Sequence, residues 1–369
     1  MAGKTGLRRK GRIDYWLFLI VFILVCIGLV MVLSASQYSA AYEYGDSYYF
    51  LKQQLFNIIF GLAAMFLAVK VDYRIYARCY KPIFALGLIL MLYVMVLGEV
   101  GGGSRRWIQI GPIGFQPSDI MKLSMLVMLC RQLVDKKDGF NSFFKDFLPY
   151  MGIAGLSCGL VAINDLGTGM VMGAVAFLLF VIAGVPIRHL ISLVMAGAGA
   201  VGVMVAMKPY RIKRLTSFLD PWGNYYDGGY QVAQSLLAMG SGGLRGVGLG
   251  EAGAKWFYLP EEHTDFIFAI LVEEGGFLAG MVLLLLFLAF TWRGFTIALK
   301  VRDSFGRLLA SGLTLMITVQ ALINIIIAMG FMPVTGITLP FISYGGTSLV
   351  ISLAAVGVLL NISAHVTNK

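Results

Sequence analysis

The sequence predicts an all-α polytopic membrane protein with ten transmembrane helices and one long extracytoplasmic loop carrying short amphipathic or re-entrant helices. Three observations predict it. Of 369 residues, 59% are hydrophobic and only 13% charged, about half the charge of a soluble domain, and mean hydropathy is +0.82. Ten apolar stretches approach the roughly 20 residues that cross a bilayer as a helix. The basic residues alternate between the loops with the sidedness of a membrane protein.

The first stretch, 15–34, follows Lys4, Arg8, Arg9, Lys10 and Arg12 and is long for a cleaved signal, so it reads as a retained anchor. The others fall at 55–69, 82–98, 119–134, 147–162, 169–185, 189–207, 265–292, 305–328 and 342–363. The second and fourth are short and borrow flanking residues. With the N-terminus inside, Lys70, Arg74, Arg78 and Lys81 share its side with Arg131, Lys136, Lys137 and Lys145, then with Arg293, Lys300, Arg302 and Arg307, and finally with Lys369. Both termini are therefore expected in the cytoplasm. The basic excess reads as loop charge, not as a nucleic-acid surface. Cys26, Cys79, Cys130 and Cys158 show no paired spacing, and His189, His263 and His365 lie far apart, so neither a disulfide framework nor a metal site is legible.

The remaining cations concentrate in 99–122 and 208–262 on the opposite side, among acidic residues, which suits an anionic, lipid-attached ligand. Segment 208–262 is too long for a mere connector. It holds a turn-prone Asp220-Pro221-Trp222-Gly223-Asn224, an amphipathic helix over Tyr230–Met239, and six glycines within Gly240–Gly250. Without a Lys-Ser/Thr pair or a preceding strand, the glycines fit a tight re-entrant loop better than a nucleotide cradle.

Ionisable residues at membrane depth mark candidate function. Asp119 and Lys122 stand three apart on one helical face, either as a mutually neutralising pair or with Lys122 turned to an anion. Arg105, Arg106 and Trp107 can grip a phosphate or anchor the interface. Asp165 suits a helix N-cap and a supporting role. Asp265, where a polar run meets an apolar helix, is poised between a favourable helix terminus and a costly bilayer edge, as a general base requires. Glu273, eight residues on, shares part of its helical face, whereas Glu274 points away.

The blocks SRRWIQIGPIGFQPSDIMKL, NDLGTGMV, DPWGNYYDGGYQVAQSLLAMGSGGLRGVGLG, YLPEEHTDFIFAILVEEGGF and PVTGITLPFISYGGTSL together resemble the SEDS family (shape, elongation, division and sporulation), ten-span peptidoglycan glycosyltransferases. The resemblance runs in order along essentially the whole chain and is closer to the FtsW-like division and sporulation branch than to the RodA-like one. Two departures stand out: Asp119 replaces a usual Glu, and Ile163-Asn164 replaces a usual Gln-Pro. The resemblance implies polymerisation of lipid II on the extracytoplasmic face. Asp265 would deprotonate the acceptor sugar, and Arg105, Arg106 and Lys122, with or without a divalent cation (Mg or Mn), would stabilise the departing pyrophosphate. Trp107, Asp119, Gln231, His263 and Ser343 complete the substrate-binding set by their places in these blocks. It also implies a class B penicillin-binding protein and other division proteins as partners. A lipid II flippase and a non-catalytic division scaffold are the alternatives.

Overall fold

The computed structural model describes residues 13–101, 104–110, 113–136, 139–207, 209–255 and 259–366. The N-terminal cations Lys4, Arg8, Arg9, Lys10 and Arg12, and also Lys137, Lys208 and Lys369, lie outside the described residues. Among the described residues eight helices are long and apolar enough to cross a membrane. Six are α1 (Tyr15–Tyr44), α2 (Tyr49–Lys70), α4 (Tyr80–Leu97), α8 (Ile187–Ala206), α12 (Ser304–Ala328) and α13 (Gly346–Ser363). The others are α11 (Ile267–Lys300) and the segment Phe143–Asn164, where a π-turn leads into α6 (Leu148–Asn164).

Two of the ten expected spans fall short of those criteria. α7 (Leu166–Ile182) has 17 residues, and α5 (Pro117–Asp135) carries Asp119, Lys122, Arg131 and Asp135. Both pack inside the bundle, α5 against α4, α6 and α12, and α7 against α6 and α12. A helix surrounded by protein needs neither full bilayer length nor an apolar surface all round. Short helices α3 (Arg74–Arg78), α9 (Pro209–Leu219) and α10 (Tyr230–Ser241) complete the helical set.

Aspartates fix several helix starts. Asp14 accepts from Leu17 N at 2.9 Å and Asp303 from Gly306 N at 3.0 Å, satisfying donors the first turn leaves open. Asp14 also binds Arg293, and its amide donates to Ser363 Oγ, so α1, α11 and α13 are tied together at one end.

Segment 99–115 departs from the all-helical expectation. It forms a three-stranded antiparallel sheet of β1 (Glu99–Gly101), β2 (Ser104–Ile110) and β3 (Ile113–Phe115). β2 pairs Trp107 with Glu99 and Arg105 with Val100 on one side, and Ile108 with Phe115 on the other. The Val, Ile, Trp and Phe content of this stretch suits strands.

The stretch expected as one span over 265–292 is not a straight rod. α11 breaks at Gly276 (φ 70, ψ −173), a left-handed conformation open to glycine. A Cβ placed on Gly280 would lie 3.1 Å from Val272 Cγ2 and 3.7 Å from Phe268 Cζ, although Phe268 and Gly280 would stand about 18 Å apart along an unbroken helix. The arm Ile267–Gly275 therefore folds back on the rest of α11.

The glycine-rich loop seals the break. In a continuous helix Glu273 O would accept from Phe277 N, and Glu274 O from Leu278 N. Here Val247 N donates to Glu273 O at 3.0 Å and Gly248 N to Glu274 O at 3.1 Å. Phe277 N and Leu278 N in turn donate to Gly243 O and Leu244 O. For these two pairs, four loop bonds take the place of two helical ones. The approach leaves no room for a side chain: a Cβ on Gly246 would sit 2.0 Å from Glu274 O.

A second loop, 331–345, enters the bundle between α12 and α13. Phe341 is buried with a positive φ of 68, and its ring faces Phe290 of α11 at 6.2 Å. Its carbonyl lies against α1 where a Cβ on Gly28 would be 2.2 Å away. Gly28→Ala is expected to destabilise the protein by about 1–3 kcal/mol through overpacking. Gly152→Ala, inside α6 with nothing within 4 Å, is expected to keep or raise stability, by up to about 1 kcal/mol. Thermal unfolding of both variants in detergent checks the contrast.

Candidate active site

Three features converge at the start of the folded-back arm: residues 261–265, loop 331–345 and the β2 sheet. Asp265 ends the turn before α11, partly exposed. Asn324 of α12 clamps its backbone, Nδ2 donating to Asp265 O at 2.9 Å and to Ile337 O at 2.6 Å. Ser343 Oγ donates to Thr264 O at 2.5 Å and accepts from Leu339 N at 2.8 Å. Tyr344 N donates to His263 O at 2.9 Å. The carboxylate is held by its frame before any substrate arrives.

Arg106 faces it. Its Nη1 and Asp265 Oδ2 each lie 3.6 Å from the point a Cβ on Gly336 would occupy, so the two charges are at most twice that distance apart. Gly336 has φ +74, so the backbone between them needs glycine. Arg106 is anchored by Nε donating to Asn164 O at 2.8 Å and by Nη1 4.0 Å from Asp165 Oδ2. Asp165 caps α7 through Thr168 N at 3.0 Å while also accepting from Thr168 Oγ1 and Gln116 Nε2. One aspartate thus serves as cap and counter-charge together.

Burial, the dominant cause, pushes the Asp265 carboxyl up to about 7. The negative charges of Glu261 and Asp165 push the same way, and the guanidinium groups of Arg106 and Arg214 oppose them. Arg214, on α9, donates from Nη1 to Val334 O at 3.1 Å, two residues before Gly336.

Below the recess runs a chain of buried polar groups. Lys122 Nζ pairs with Asp119 Oδ1 at 2.9 Å and donates to Gln320 Oε1 at 2.9 Å. Gln320 Nε2 reaches Thr338 O at 3.0 Å. Thr347 Oγ1 donates to Asp119 Oδ2 at 3.0 Å. Gln320 and Asn324 are one turn apart on α12, so the pair supports the same loop that Asn324 ties to Asp265.

Several sequence-predicted roles change. The β1/β2 register shifts between Glu99 and Val100, which pair with Trp107 and Arg105 and leave Arg106 as the extra residue between them. Such a bulge re-aims a side chain, and Arg105, Arg106 and Trp107 make separate contacts. Arg105 is exposed and donates to Val96 O, and Trp107 packs by Gly114, 3.4 Å from its Cβ point. Lys122 has its bonds committed to Asp119 and Gln320 and is buried, as is Ser343, whose hydroxyl is used on both sides. The His263 ring packs on Phe50 and Tyr344 at 4.3 and 5.7 Å. Gln231 lines a neighbouring cavity of about 230 Å³ with Arg214, Phe218 and Val334. Glu273 does not turn to Asp265: its Oε1 accepts from Gly253 N at 2.8 Å and Ser241 Oγ at 3.3 Å. Gln116, Arg214, Gln320, Thr338 and Thr347 are the groups that sequence reasoning passed over. Gln320 and Asn324, spaced i, i+4 in an apolar span, were the readable sign of them.

Among the described residues no group of three or more His, Cys, Asp or Glu side chains converges on one point.

Eight apolar helices long enough to cross a membrane, with a carboxylate and a guanidinium facing each other across Gly336, define a multi-pass helical membrane protein. Residues 15–368 match the FtsW/RodA/SpoVE model, described as cell cycle protein, and the chain belongs to that family. It is 44% identical over 361 residues to stage V sporulation protein E of Bacillus subtilis, covering 97% of this chain and 98% of that one. It is 39% identical over 363 residues to a probable peptidoglycan glycosyltransferase FtsW of Geobacter sp. (strain M18), covering 97% and 99%. Its fold matches a chain from a peptidoglycan synthase complex with TM-score 0.78 and 29% identity, covering 95% and 97%. The rod shape determining protein RodA of Thermus thermophilus matches with TM-score 0.71 and 28% identity, covering 97% and 98%.

Lys122→Met is expected to leave Asp119 buried without its cation and to cost about 3–5 kcal/mol. Asp119→Asn/Lys122→Met together should recover much of that loss. Thermal unfolding of the two variants side by side checks it.

Proposed function

We propose that the chain is a peptidoglycan glycosyltransferase of the FtsW-like branch that polymerises lipid II during division or sporulation. The observation that carries the reading is the opposition of Asp265 and Arg106 across Gly336, just before the long apolar helix α11. A lipid-borne donor presents its sugar and its pyrophosphate at the membrane edge, and the recess offers one group for each.

Asp265 takes the proton of the acceptor sugar's 4-hydroxyl as that oxygen attacks the donor's anomeric carbon with inversion. The bond from that carbon to the pyrophosphate breaks, and negative charge collects on the departing undecaprenyl pyrophosphate. Arg106 stabilises it from a fixed position, and Arg214 adds positive charge from α9. Preorganised charge of this kind is commonly the largest catalytic contribution. Asp165 and Asn164 orient Arg106, while Asn324 and Ser343 orient Asp265. The site faces the extracytoplasmic side, with both termini in the cytoplasm. A class B penicillin-binding protein and other division proteins are the proposed partners, the former cross-linking the strands made here.

Asp265 must be ionised to act. With its carboxyl near 7, kcat/KM is expected to fall about tenfold per pH unit below that value and to level off above it. Polymerisation of purified lipid II between pH 5.5 and 8.5 checks the profile, and Asp265→Asn should form no polymer at any pH. An unaltered rate in Asp265→Asn rules out the assigned base.

Arg106→Ala is expected to lower the rate by about 100-fold, the scale of losing one preorganised charge donor. Arg105→Ala should change it less than about threefold, since exposed polar contacts contribute little. The same polymerisation assay compares the pair, and equal losses would contradict the strand geometry.

A further inference from the structure

At the bend of α11, remote from the recess, lies a second buried charge pair that the chemistry above leaves unused. Lys255 Nζ is 3.3 Å from Glu274 Oε1, and both side chains are essentially unexposed. Lys255 also donates to Gly250 O and stands over the Tyr38 ring at 5.4 Å. The same Glu274 oxygen accepts from Ser34 Oγ at 2.5 Å. The neighbouring Glu273 accepts from Gly253 N and Ala254 N. Three separate parts of the chain meet there: α1, the loop 240–255 and the top of the arm Ile267–Gly275.

That arm is nine residues of helix with Asp265 just beyond its lower end. A helix of this length transmits displacement as a rigid rod, so the height of Asp265 against Arg106 depends on what holds the top. Asn324 and Ser343 fix the backbone at the bottom through neutral hydrogen bonds, whereas a buried ion pair holds the top. Glycine-rich backbone alone would hold the top weakly, because glycine gives up the most conformational freedom on ordering. A buried ion pair with its own hydrogen bonds is costly to form yet costly to break, and is attested as a means of specifying register.

We infer that Lys255 and Glu274 form a latch that positions Asp265: positioning residues for the polymerisation step that touch no substrate. The inference rests on Asp265 being the base. Breaking the latch lets the arm slide, and a shift of about 1 Å at the reacting groups costs on the order of 100-fold in rate. The residues proposed to meet the substrate, Arg106 and Arg214 among them, are left in place.

The experiment measures polymerisation of purified lipid II by the full chain in detergent, per folded molecule, with thermal unfolding recorded on the same samples. Lys255→Met is expected to lower kcat by roughly 10- to 100-fold with KM within about threefold. Ser34→Ala, which removes the tie to α1 without touching a charge, should lower kcat severalfold at an unchanged unfolding temperature. Lys255→Met/Glu274→Gln removes both charges, so its unfolding temperature should return towards wild type while kcat stays low. A double variant that unfolds like wild type and polymerises at the wild-type kcat overturns the latch, and so does a wild-type kcat in both Lys255→Met and Ser34→Ala. Asp265→Asn separates the two readings: if it polymerises normally the assigned base fails, whatever Lys255 does. If it is inactive while the latch variants keep full kcat, only the latch fails.

Discussion

A helix that breaks inside a bilayer exposes backbone groups no water can reach, each costing several kcal/mol if left bare. The arrangement around Gly276 is governed by that constraint. The carbonyls of Glu273 and Glu274 and the amides of Phe277 and Leu278 lose their helical partners, and residues 243–248 supply replacements. Only a loop whose backbone can come within touching distance can do so, which accounts for Gly246 facing Gly276. The folded-back arm, and with it the place of Asp265, depends on this exchange.

Charge at membrane depth obeys a similar rule. Asp119 with Lys122 and Glu274 with Lys255 are each paired and further hydrogen-bonded. Burial without such partners costs more than attraction returns. Asp265 is the contrasting case: its nearest carboxylates raise its proton affinity and the guanidinium groups only partly compensate. The contrast separates fully paired carboxylates from one whose charge is only partly balanced.

Arg106 shows how one backbone decision assigns roles to neighbours. Arg105 and Arg106 are chemically identical in the sequence, and either suits a phosphate. Strand β2 turns one inward to Asn164 and Asp165 and leaves the other at the surface against Val96. Glu273 and Glu274 are divided in the same way, one holding loop amides and the other the buried lysine. In both pairs the sequence identified the chemistry, and the local backbone distributed it.

Composition and hydropathy by themselves determined the membrane class, most of the spans and the candidacy of Asp265, because transfer of apolar surface and the cost of buried charge are properties of residue type. Asp165 as a cap was legible too, since a capping side chain needs only its immediate neighbours. Tertiary structure alone decided the folded-back arm, the inward choice of Arg106, and the work of Lys122, Ser343 and Lys255. Each of these depends on which distant segments share a hydrogen bond: α5 with α12, loop 331–345 with residues 263–265, and loop 240–255 with α1 and α11. Such pairings are set by packing in three dimensions, and no periodicity along the chain encodes them.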